Sequence, residues 1–150
     1  MKRLFALLLI ALSAQPAWTS GPNDAQTPAG QATSACPAPE DLLPVQLYGL
    51  WRVSFDRPDA TATVLFEKHP DYAGGLRGAI NRDGVRSALA GDVDEGVLAL
   101  DETENGLQIS AVWSGTVSPN SCGKEITGLW RRSTDNQERG FVLRKLPGWR

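Results

Sequence analysis

The side chains that most often act as nucleophile, general base or soft metal ligand are scarce in this chain. It has one histidine, His69, and two cysteines, Cys36 and Cys122. One imidazole cannot build a zinc site, which takes three or four ligands. As a general base it needs a nucleophile within hydrogen-bond reach, and the sequence implies none. His69 stands before Pro70 in a turn-rich stretch and reads as a plain loop residue. The carboxylates Asp92, Asp94, Glu95, Asp101, Glu102 and Glu104 could in principle bind calcium or do paired acid–base work. Their spacing matches no EF-hand loop, and nothing sets two of them across a cleft, so they read as solvated hairpin ends. No enzyme, metal or cofactor is therefore expected. What remains is a set of aromatic rings suited to non-covalent binding. Gly-Leu-Trp-Arg occurs twice, at 49–52 and 128–131, and Trp113 lies between the copies.

Those rings must be positioned by a small exported domain. Lys2 and Arg3 precede an apolar run over 4–12, then small and turn-forming residues. This is the pattern of a signal peptide, expected over 1–17, and the run is too short to span a membrane. Residues 18–46 are rich in Pro, Ala, Gly, Ser, Thr and Gln and read as a flexible leader. The domain itself is expected over 47–146, with a short tail at 147–150. Export to the periplasm or beyond implies an oxidising compartment, where Cys36 and Cys122 are expected to pair. The formal net charge is −2 at pH 7, and more negative without Lys2 and Arg3. That argues against nucleic acid or an anionic membrane as the main partner.

Beyond Leu47, short segments alternate apolar and polar residues between turn signals. Strands are expected at 48–55, 60–67, 75–81, 85–93, 97–101, 107–117, 124–132 and 140–145. Asp83-Gly84, Glu95-Gly96 and Asn105-Gly106 supply hairpin turns. Every connection is short, so neighbouring strands must run antiparallel. Closure into an eight-stranded up-and-down barrel removes both open edges of such a meander. Trp51, Val53 and Phe55 then share one face, as do Ile109, Ala111 and Trp113, and Ile126, Gly128 and Trp130. If these faces point inward, three indoles enter the lumen beside many small residues. Alternation does not decide whether the space between them is a cavity or a filled core.

Gly49-Leu50-Trp51 resembles the first-strand G-x-W of the calycins, the small barrels that include lipocalins, avidins and bacterial metalloprotease inhibitors. In many calycins a basic residue of the last strand packs over that tryptophan, a role the resemblance gives to Arg144. The segment 109–133, with Trp113-Ser114-Gly115 and then Ile126-Thr127-Gly128-Leu129-Trp130, is similar to the sixth and seventh strands of avidin and streptavidin. Leu89-Ala90-Gly91 and 75–78 resemble shorter avidin motifs. The resemblance implies a calycin barrel whose lumen binds a small molecule, with Trp113 and Trp130 matching two biotin-contacting tryptophans. The polar biotin contacts are replaced, however. Val53 stands for an asparagine, Ile80 for a tyrosine, and Ile109 and Ala111 for a serine and a threonine. Each lost contact costs about 1–3 kcal/mol, so tight biotin binding is not expected.

The reading is an exported, non-enzymatic, avidin-like all-β barrel with a small, largely apolar ligand in its lumen, biotin or another ring compound. Trp51, Val53, Ile80, Ile109, Ala111, Trp113 and Trp130 would line the site. The alternatives are an inhibitor of secreted proteases, whose leader would act as the arm, and a protein-interaction barrel that uses outward arginines. Homo-oligomers are compatible with each.

Overall fold

The computed structural model describes residues 36–57 and 61–148. The expected signal peptide, leader residues 18–35 and the last two residues of the tail lie outside them. A 3-10 turn at Pro39–Asp41 and a one-turn helix α1 (Pro44–Leu47) lead into eight strands. These are β1 (Gly49–Phe55), β2 (Thr61–Lys68), β3 (Gly75–Arg82), β4 (Val85–Asp94), β5 (Val97–Thr103), β6 (Ala111–Val117), β7 (Glu125–Arg132) and β8 (Glu138–Lys145). They form a closed antiparallel barrel in sequence order. The last pairing joins β1 to β8, with Trp51 opposite Lys145 and Phe55 opposite Phe141. No strand edge is left to template association.

Turn chemistry explains the tightest corners. Asp83 and Gly84 both take positive φ (51° and 88°), as do Glu95 and Gly96 (46° and 78°). Two such residues make a type I′ turn, whose twist suits a hairpin. The loop after β5 behaves differently. Asn105 Oδ1 accepts hydrogen bonds from the N–H groups of Leu107 and Gln108, at 2.9 and 3.0 Å. That side chain thereby captures the groups a strand ladder would need. The expected start of strand six at 107 is thus displaced to Ala111, and β5 runs on to Thr103.

Alternation sends Trp51, Val53, Val64, Phe66, Leu76, Ile80, Leu89, Leu98, Leu100, Trp113, Ile126, Trp130, Phe141 and Leu143 into one buried cluster. Among the small residues of the strands, Gly78, Gly91, Ala111, Gly115 and Gly128 fall on inward positions. Ala88, Ala90 and Ala99 point outward and are exposed. Three of the inward glycines lie beneath aromatic rings: a Cβ at Gly78 would lie 3.2 Å from Phe66 Cδ1, and Cβ atoms at Gly115 and Gly128 would lie 3.0 and 2.9 Å from Phe141 Cζ. Side chains therefore fill the lumen along the middle of the barrel.

The two ends differ. At the base, Leu42 and Leu47 join the core cluster. The Trp51 indole donates to Leu47 O at 2.8 Å. Residues 36–46, expected within a flexible leader, are folded here because two leucines and the Cys36–Cys122 disulfide hold them. Lys145, not Arg144, packs over the Trp51 ring, with Nζ 5.9 Å from its centroid and donating to Gln46 O. Phe141 and Leu143 face inward, so alternation sends Lys145 in and Arg144 out, where it meets Glu125 at 2.9 Å. The opposite end is the mouth, bounded by the β1–β2, β3–β4, β5–β6 and β7–β8 connections.

Candidate functional site at the barrel mouth

The inward rows of three strands end in charge. On β5, Leu98, Leu100 and Glu102 share a face; on β3, Ile80 leads to Arg82; on β7, Trp130 leads to Arg132. Glu102 is 1% exposed, among aromatic rings. A carboxylate there is tolerable only if its oxygens are occupied. Arg82 donates to both of them, from Nη2 to Oε2 at 2.8 Å and from Nη1 to Oε1. The indoles of Trp113 and Trp130 donate to Oε2 at 3.0 and 3.1 Å. Burial would raise the Glu102 pKa, but the bonds and charge of Arg82, with the two indole N–H groups, outweigh it. The carboxyl is held below its usual range and stays ionised at neutral pH.

Above this network is a cavity of about 360 Å³, open to solvent, with Phe55, Trp130, Ser110 and Thr134 among its walls. Arg82, Arg132, Arg139, Glu102 and Glu104 supply its charge. All three guanidinium groups face the Trp130 ring, at 5.6, 5.5 and 5.7 Å from its centroid. Phe55 meets Trp130 edge-on at 6.2 Å. Arg132 pairs with Asp135 at 3.2 Å. Arg139 Nη2 reaches Gln137 Oε1 at 3.3 Å, while its buried Nε has no acceptor among the described residues.

Six of the seven residues read as the lining are buried and inward: Trp51, Val53, Ile80, Ala111, Trp113 and Trp130. They are not brought together around one space. Trp51 closes the base against Phe66, with ring centroids 5.9 Å apart. Val53, Ile80 and Ala111 are packed within the filled lumen. Trp113 faces Trp130 directly across β6 and β7, and of the seven only Trp130 reaches the mouth cavity. Ile109 is not inward at all; it lies in the β5–β6 loop and is 49% exposed. The expectation of an apolar site assumed an open lumen, whereas the open volume is walled by arginines.

Glu102 is not the solvated hairpin end that its carboxylate-rich surroundings suggest, but a buried residue. Its signal was in the sequence, as the third of three alternating positions after two leucines. His69 proves local: its Nδ1 accepts from the N–H groups of Asp71 and Tyr72, both at 3.2 Å, and its ring lies 4.7 Å from that of Tyr72. No group of acidic, histidine or cysteine side chains suited to a metal ion occurs among the described residues. No helix among them is long and apolar enough to cross a membrane. Compared with models of known protein families and with characterised proteins, the chain matches none.

Proposed function

We propose that this chain is a non-enzymatic, exported binding protein of the avidin-like type that holds one small molecule at the mouth of its barrel. The observation that carries this reading is the mouth cavity itself, an open space walled by aromatic and polar side chains that converge on a barrel otherwise packed with its own residues. A concave pocket of a few hundred Å³ with a few fixed polar groups is the usual form of a small-molecule site. Export is supported by the Cys36–Cys122 bond, which belongs to an oxidising compartment. Biotin in the avidin manner is disfavoured twice. Val53, Ile80 and Ala111 are apolar, and their space is already filled.

The test is thermal unfolding of the full chain against a panel of biotin, neutral arenes and arene carboxylates. The blocked variant Thr134→Trp serves as control, since residue 134 is exposed on the cavity wall. A ligand at about a thousand times its Kd adds about 4 kcal/mol and raises Tm by about 10 °C or more. The reading requires at least one compound to stabilise the native chain and to lose that effect in Thr134→Trp. Stabilisation that survives in the blocked variant, or no stabilisation by any compound, sinks it.

A further inference from the structure

We infer that the occupant of the mouth cavity carries a single carboxylate, on a planar one- or two-ring body, and that Arg139 receives it. This rests on the mouth being the binding site. Three arginines wall the cavity, but their situations differ. Arg82 is neutralised by Glu102 and Arg132 by Asp135, whereas Arg139 has no carboxylate partner among the described residues. Its Nε–H is buried with no acceptor, and its Nη2 has only the 3.3 Å bond to the neutral amide of Gln137. A cation with so few partners is under-satisfied, and an anion bound to its terminal N–H groups would offset that.

Guanidinium geometry narrows the ligand further. The terminal Nη1 and Nη2 groups of a guanidinium form a planar fork that a carboxylate meets with two parallel bonds. The cavity volume of about 360 Å³ suits a small ring system rather than an extended chain. Phe55 and Trp130, with the guanidinium faces, offer flat walls for that body. Glu104 shares the cavity and is exposed. Its charge opposes a dianion such as phosphate more than a monoanion, and solvent weakens it relative to the half-buried Arg139.

The probes are benzoate and its neutral counterpart benzamide, titrated calorimetrically into the full chain. Inorganic phosphate tests the charge limit. Benzoate should bind about 10- to 100-fold tighter than benzamide, the worth of a charge-assisted pair. Arg139→Gln should erase that preference, and Arg139→Lys should restore only part of it, because an ammonium lacks the fork. Phosphate should bind more weakly than benzoate. A peptide ending in Gly-Phe, compared with its C-terminal amide, distinguishes a chain terminus from a free small acid as the source of the carboxylate.

Equal binding of benzoate and benzamide to the native chain overturns the inference whatever the variants do. That result would leave the mouth reading intact if Thr134→Trp still blocked both. No binding by any carboxylate probe also overturns the inference. If panel compounds also stabilise Thr134→Trp, the mouth reading falls as well.

Discussion

Glu102 shows how one residue can decide what a lumen holds. A carboxylate 1% exposed is stabilised by a guanidinium fork and two indole N–H groups, so all four side chains depend on one another. Glu102→Ala should strand the Arg82 charge and two indole donors, at a cost of about 3–5 kcal/mol by urea denaturation. Glu102→Gln keeps the shape and should cost less. The pH dependence follows from the direction of the shift. The folded carboxyl titrates below its unfolded value of roughly 4.3, so its contribution is present above that pH. It is lost as pH falls through the lower folded value. Stability curves of the native chain and Glu102→Gln should therefore converge in acid. Curves that stay parallel from pH 7 to the acid limb would show that Glu102 is not held ionised by the fold.

At the scale of elements, the two Gly-Leu-Trp-Arg copies prove alike in facing and different in purpose. In both, alternation turns the tryptophan inward and the arginine outward. β1 and β7 both run from base to mouth. Trp51 stands near the start of its strand and Trp130 near the end of its own, so Trp51 lands near the base and Trp130 near the mouth. The glycines are needed for separate reasons. Gly49 enters β1 at φ 124°, a conformation side chains other than glycine rarely adopt. Gly128 is set by closeness to β6: an added Cβ would lie 2.1 Å from Ser114 O and 2.5 Å from Gly115 Cα. Backbone cannot yield as a flexible side chain would, so Gly128→Ala should destabilise by about 1–3 kcal/mol or more. It should also speed amide exchange along the β6–β7 ladder. If exchange there is unchanged and stability is unaltered, the strands are not in such close contact.

For the molecule as a whole, closure depends on contacts distant in sequence. β1 meets β8, and the Cys36–Cys122 bridge spans a separation of 86 residues. The bridge holds the segment that carries Leu42 and Leu47 against the base, while the mouth is left open. The double variant Cys36→Ser, Cys122→Ser should lose about 2–5 kcal/mol, from the closed loop and the loosened plug. Its Trp51 indole N–H should exchange with solvent faster than those of Trp113 and Trp130, which NMR can follow separately. Equal acceleration at all three would mean that the base is not a separately loosened unit.

The eight strands, their antiparallel order, the inward indoles and the disulfide pair were all legible from the chain. Alternation, turn residues and short connections are local properties, and each needs only a few neighbouring residues to express itself. Whether the lumen was open or full was not legible, because volume depends on which rings from other strands meet over Gly78 and Gly115. Nor was the exposure of Ile109, which follows from a side chain of Asn105 competing for strand hydrogen bonds. The site itself lies furthest from the sequence. Arg82, Glu102, Arg132 and Arg139 come from four strands, and only closure of the barrel gathers their charges over one tryptophan.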